Sequence, residues 1–324
     1  MRRRLPGRPE EWLFGGFLLL LAVLVVVTGA PVASLAALVT DPTLPLVVLA
    51  GAAVGVVVVA LRSRPPRLRR GLAVVGGVGR AMLPMAACLV CYAALRDLTP
   101  ALGLPLADPA LSAFDRSVFG VDVSRWLNDT LGSPALTLAM VVCYLSYGST
   151  QAAYALRQHL TGRVWAYRDF SLAVAIVAVL GYTGYLLVPG VGPHVWQVAL
   201  YADQLPGHGG ALGSVLDTIT SVQGPARDIF PSLHTGMTVV LMGYLWRDAR
   251  TLFWCYLPVG LGVLLSTVYL RKHYAVDVLA GILVVVLAMA VAKPVNRRWF
   301  TAEASYPDGR SADSRAVTAA TKSG

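Results

Sequence analysis

The chemistry open to this chain is concentrated in two short runs, RDIFPSLHTG ending at Gly236 and YLRKHYAVDVLAG ending at Gly281. His273 and Asp277 are four residues apart. On a helix they share a face, and the carboxylate can accept from one ring nitrogen. That bond sets the tautomer and leaves the other nitrogen free to attack an electrophile such as phosphorus. In the first run, Pro231 suits an opening helical turn and Ser232 an N-cap. The unpaired N–H groups of such a turn, aided by the helix dipole, form an anion site. His234 stands beside it as a proton donor to a leaving oxygen. Taken singly, each run has a plainer reading. A His-Asp pair can anchor a helix end, and Pro-Ser before an apolar stretch is an ordinary helix start. Their arrival at one level of one membrane face is what makes them a site.

The elements that must position these residues are transmembrane helices. Hydrophobic residues make up 56% of the chain and charged residues 14%, a balance that soluble domains of 324 residues do not show. Eight apolar segments approach the roughly 20 residues needed to span about 30 Å of hydrocarbon. They are 12–29, 44–61, 82–98, 135–156, 170–188, 232–246, 252–270 and 275–292. The net charge of +10 sits in short runs between them, with no basic face carrying interleaved aromatics, so a nucleic-acid partner is not expected. If the N-terminus is cytoplasmic, 21 cationic residues fall inside. Six fall outside: Arg96, Arg116, Arg125, Arg227, Arg271 and Lys272. Both histidine runs then face the extracytoplasmic side. The first apolar run, preceded by arginines and followed by PVASLA, also has the look of a secretory signal, and its length favours an uncleaved helix.

Three regions are expected: two N-terminal helices with basic flanks over 1–70, a catalytic core over 71–300, and a disordered cytoplasmic tail over 301–324. The outside loop 99–134 mixes Asp108, Asp115, Asp122 and Asp129 with Phe114, Phe119 and Trp126, a pattern for short amphipathic helices at the membrane surface. The loop 189–231 is rich in Gly and Pro and leads into a helix start. Cys88, Cys91, Cys143 and Cys255 all lie in apolar stretches and read as buried hydrophobes. The Cys88–Cys91 CxxC pair has no second pair or nearby His to complete a zinc site. Gly51 and Gly55 read as a helix-packing pair. His159 and His208 carry no assigned role.

FPSLHTG followed by YLRKHYAVDVLAG resembles the second and third signature motifs of the type 2 phosphatidic acid phosphatase superfamily. More narrowly it is similar to the inositol phosphorylceramide synthase-like branch, where Leu replaces the Gly of PSGH and HYxxD is typical. The likeness is specific over 182–281 and architectural, as a six-helix core, over 71–294. It implies an all-α, metal-independent and cofactor-free membrane enzyme. In it His273 forms a phosphohistidine, Asp277 orients that ring, and His234 protonates the leaving group.

Two departures concern phosphate clamping. The first motif, with its Lys and Arg-Pro, is replaced by VPGVGPH, which offers His194. The Arg expected six residues before the nucleophilic His is Thr267. Ser232, Arg227, Arg271, Lys272 and His194 are therefore the expected phosphate-binding residues, although each cation could equally touch lipid headgroups. The expected function is a lipid phosphatase or a phosphotransferase to a lipid or polyol acceptor. A transporter is disfavoured because the helix centres lack ionisable residues. A zinc hydrolase using His234, His273 and Asp277 is disfavoured because the cap position suits an anion.

Overall fold

The computed structural model of the protein describes residues 7–40, 68–201, 204–223 and 226–304. Every regular element among them is helical: α1 Pro9–Thr28, α2 Ala33–Thr40, α3 Leu68–Ala101, α4 Asp108–Phe119, α5 Val123–Leu131, α6 Pro134–Leu160, α7 Val164–Leu187, α8 Pro193–Trp196, α9 Gly210–Gln223, α10 Leu233–Asp248, α11 Arg250–Tyr269 and α12 Ala275–Ala304. Five contain stretches long and apolar enough to cross a membrane, namely α1, Met82–Ala101 of α3, α7, α11 and Ala275–Trp299 of α12. The protein is an all-helical, polytopic membrane protein.

Two further expected spans fall short of those marks for visible reasons. α10 has only 16 residues. α6 carries Gln151, whose side chain turns inward and donates from Nε2 to the Met237 carbonyl at 2.9 Å. The expected span 44–61, with Gly51 and Gly55, lies outside the described residues. So does most of the expected tail, although α12 itself continues to Ala304.

α7 forms the centre of the bundle. Phe170, Ala173, Val174, Ala175, Val177 and Ala178 on it have no exposed surface, and α1, α3, α6, α10 and α12 pack around it. Small residues let backbones meet near the motif residues. A Cβ on Gly281 would lie 2.6 Å from the Ser232 carbonyl, so α12 and the start of α10 touch directly. A Cβ on Gly184 would lie 2.7 Å from the Phe230 carbonyl, which ties α7 to the same segment.

The arginines at the far end of α10 gather away from the histidines. Arg247 bonds Asp169 at 2.6 Å and Asp248 at 2.8 Å, and Arg163 reaches the Asp248 carbonyl at 3.3 Å. Cys88, Cys91, Cys143 and Cys255 are all free thiols. Only Cys91 is buried as expected, while Cys88 and Cys143 are half-buried and Cys255 is exposed on α11.

The two long loops, 99–134 and 189–231, depart most from the sequence reading. α4 and α5 form as expected, but the two acids of α4, Asp108 and Asp115, do not face water, while Asp129 on α5 does. Asp108 is 0% and Asp115 3% exposed, whereas Phe114, Val118, Phe119 and Trp126 are exposed. The acids turn inward because helix starts and a glycine loop there supply N–H donors. Asp115 accepts from the amides of Ala275 at 2.7 Å and Val276 at 2.9 Å, the first two residues of α12. Asp108 accepts from the amides of Val191 at 3.0 Å and Gly192 at 2.8 Å, and from the Tyr274 hydroxyl at 3.1 Å. In the second loop, α9 was not foreseen. Its Leu216 and Ile219 join Met140, Val141, Tyr144 and Tyr269 in a separate apolar cluster capping α6 and α11.

Asp115→Ala should destabilise the protein by about 2–4 kcal/mol, because two amides at a buried helix start lose a charged acceptor. Asp115→Asn, which keeps one oxygen acceptor, should lose less. Thermal unfolding of the two variants in detergent checks the order.

Candidate active site

Three backbone features bring the two motif runs together. α11 closes on a tight turn in which the amides of Lys272 and His273 both donate to the Thr267 carbonyl at 3.0 Å. Arg271 takes the left-handed conformation there, with φ 63°, a position that costs a non-glycine residue roughly 1–2 kcal/mol. The Ser232 amide donates to the Asp277 carbonyl at 3.0 Å, joining the start of α10 to the first turn of α12.

His273 is 3% exposed. Its Nδ1 lies 2.9 Å from the Ile229 carbonyl oxygen and 3.4 Å from Asp277 Oδ2. Both neighbours are acceptors, so Nδ1 carries the proton and Nε2 presents a lone pair. The expected His273–Asp277 pairing is present, with the Ile229 carbonyl as the shorter partner. Asp277 Oδ2 also accepts from the Tyr274 amide at 2.8 Å, as an acid in a first helical turn does for the N-cap amide. Its Oδ1 is buried without a hydrogen-bond partner.

His234 is the second residue of α10. Its ring stacks on Tyr144 and meets the tilted ring of Tyr147, both on α6 and both with centroids 4.4 Å away. It meets the His273 ring edge-on at 5.9 Å between centroids. The two imidazoles therefore lie at the same end of the bundle, close enough to address one phosphorus atom. Ser232 is the N-cap, accepting from the Thr235 amide at 3.4 Å. Pro231 precedes that cap and does not occupy the first turn as expected. The amides of Leu233 and His234, which open the helix, have no acceptor within it.

The expected phosphate cations separate into two groups. Lys272 is 5% exposed, and its Nζ donates to Thr220 Oγ1 at 3.0 Å. Burial lowers its pKa to about 8 from the usual 10.5. The His194 amide donates to the Arg271 carbonyl at 2.8 Å, and its Nδ1 is buried without a partner. Burial, reinforced by the Lys272 charge, lowers its pKa to about 3, so His194 is a neutral imidazole and not a cation.

Arg271 is committed elsewhere. Its Nε donates to Asn128 Oδ1 at 2.6 Å, and its guanidinium lies 3.9 Å over the Tyr201 ring. Both contacts offset the cost of its backbone conformation. Arg227 donates to the Leu104 carbonyl at 3.0 Å and anchors the segment before α10.

Several participants were not singled out in the sequence. Asp228 accepts from the Tyr92 hydroxyl at 2.7 Å. Burial raises its pKa against the lowering effect of that bond. Arg96, one turn further along α3, has a buried Nε without a partner. Tyr144 and Tyr147 were legible only as part of an apolar run. Among the described residues no group of three or more His, Cys, Asp or Glu is placed to hold a metal ion.

A membrane-embedded helical bundle with a His-His-Asp cluster at one end thus defines the class of protein. The chain matches the family described as the PAP2 superfamily over residues 109–291, more than half its length, and belongs to that superfamily. Members of it are typically phosphatases. No curated protein and no solved structure matches the chain.

Proposed function

We propose that the protein is a lipid-phosphate phosphotransferase or phosphatase that works through a phosphohistidine on His273, at the extracytoplasmic face of a bacterial plasma membrane. The observation that supports it most is the pair of acceptors, the Ile229 carbonyl and the Asp277 carboxylate, that face Nδ1 of His273. Its Nδ1 proton is engaged by Ile229 and Asp277, so Nε2 is the nucleophile, with the His234 ring beside it.

The reaction follows in two displacements. Nε2 of His273 attacks phosphorus, the P–O bond to the lipid alcohol breaks, and the departing oxygen takes its proton from His234, which is charged only once the incoming phosphate dianion lies beside it and raises its proton affinity. Water or an acceptor hydroxyl then loses a proton to His234 and attacks phosphorus, and the P–N bond breaks to restore His273. Lys272 and the opening amides of α10 neutralise the phosphate, with neutral His194 as a hydrogen-bonding neighbour. Asp277 holds the His273 ring as the reaction makes it cationic.

The resemblance to the inositol phosphorylceramide synthase-like branch favours a lipid or polyol acceptor over water. The excess of cations on the loops opposite the histidines supports the orientation, with both termini cytoplasmic. Incubating purified protein with a labelled lipid-phosphate panel, with and without acceptor alcohols, tests the reading. Free phosphate without acceptor means phosphatase, label on the acceptor means transfer, and label on neither overturns the proposal.

Lys272 makes the reaction pH-dependent. Its ammonium is present below about pH 8 and is lost as pH rises through that value. KM for the lipid phosphate should therefore rise about 10- to 100-fold between pH 7 and 10 as one charge-assisted contact disappears. Folding moves the opposite way. The folded state binds this proton less tightly than the unfolded chain, so deprotonation favours folding between about pH 8 and 10.5. Loss of binding without loss of stability over that window, and a flat KM profile in Lys272→Arg, are the expected results.

A further inference from the structure

The Ile229 carbonyl that faces Nδ1 of His273 belongs to residues 226–232, a stretch without regular structure that leads into α10. Its hold on the ring is sensitive to position. The contact is 2.9 Å long, and a shift of about 0.7 Å takes the oxygen out of hydrogen-bonding range. Peptide planes are rigid, so only the two torsions of Ile229 separate Asp228 from that carbonyl. Packing fixes those torsions. Ile229 is buried against Leu111 and Tyr274, and a Cβ on Gly190 would lie 2.5 Å from its Cδ1. Where the carbonyl points is therefore governed by where Asp228 is held.

Two polar ties hold the stretch on the side before the carbonyl, and both run to α3 or just past its end. Arg227 donates to the Leu104 carbonyl at an exposed position, where water competes for both groups. The Tyr92 hydroxyl donates to Asp228 Oδ2 at 2.7 Å, partly shielded from water, with a carboxylate as acceptor. The tyrosine is the firmer tie. On the other side of the carbonyl, the Ser232 amide donates to the Asp277 carbonyl at 3.0 Å. The acceptor of His273 is thus strung between α12 and Tyr92 of α3.

We propose that Tyr92 and Asp228 are positioning residues, which act through the Ile229 carbonyl to keep the proton of His273 on Nδ1 and Nε2 free. This rests on the reading of His273 as the nucleophile. It extends the machinery to α3, which lies outside the residues 109–291 that match the superfamily. Asp228 acts here as an acceptor for Tyr92, and its charge takes no part in the proton transfers.

The test measures the rate of phosphohistidine labelling and KM in purified variants of the full chain. Tyr92→Phe, which removes only the hydroxyl, should slow labelling about tenfold and leave KM within about twofold. Combined with Asp277→Asn, it should lose about tenfold more than the product of the two single losses, because each acceptor covers for the other when one is weakened. Asp228→Ala should match Tyr92→Phe. Asp228→Asn, whose side-chain oxygen still accepts from Tyr92, should recover most of what Asp228→Ala loses. Three results would each overturn the proposal: single losses that simply multiply, a raised KM at an unchanged labelling rate, or an Asp228→Asn protein as slow as Asp228→Ala. All three are read in protein that still labels on His273. Failure of the nucleophile reading differs, since the unaltered enzyme would then form no labelled histidine.

Discussion

His273→Gln should lower kcat for a lipid phosphate by about 10⁴-fold or more and abolish labelling of the protein by radioactive substrate. In the unaltered enzyme, rapid quenching should trap label in an acid-labile, base-stable form, the signature of a phosphoramidate. Asp277→Asn separates the contributions around that ring. In a catalytic triad whose carboxylate alone sets the tautomer, the same change costs about 10⁴-fold. Here the Ile229 carbonyl holds Nδ1–H at 2.9 Å, closer than Asp277 at 3.4 Å. An Asn oxygen can also still accept from the Tyr274 amide. The expected loss is therefore only about 10²-fold, the part due to stabilising the positive charge that develops on the ring. A loss as large as that of His273→Gln would make Asp277, and not the backbone carbonyl, the group that sets the tautomer.

The division of labour around His273 also shows what the sequence could and could not reveal. The four-residue spacing of His273 and Asp277 and the cap pattern before His234 are local, and helix periodicity translates them directly into a shared face and a helix mouth. The long apolar segments are equally local. What remained hidden depends on partners far along the chain. Asp115 reads as a solvated acid until Ala275 and Val276, 160 residues later, offer it two amides. Asp228 looks like a partner for its neighbour Arg227, yet a tyrosine 136 residues earlier takes it. Arg271 reads as a phosphate clamp until Asn128 and Tyr201 engage it. Thr267 stands where the wider superfamily has Arg. It is fully buried, and its carbonyl serves as the acceptor that closes the turn holding His273.

His234 is the residue whose role a leaving-group series tests most sharply. His234→Phe should preserve the contacts with Tyr144 and Tyr147, since an aromatic ring still lies about 4.4 Å from each, while removing the transferable proton. With an alkyl lipid phosphate, whose alkoxide leaves poorly, turnover should fall about 10²- to 10⁴-fold. With a p-nitrophenyl ester, whose phenolate departs without protonation, formation of the phosphohistidine should fall far less, and labelled enzyme should accumulate. Its breakdown still needs a base to activate water or the acceptor. The variant thus converts a steady-state defect into a trapped intermediate on His273. Equal losses for both esters, without trapped label, would mean that the His234 ring only packs against the tyrosines. The proton would then have to come from another group within reach of His273.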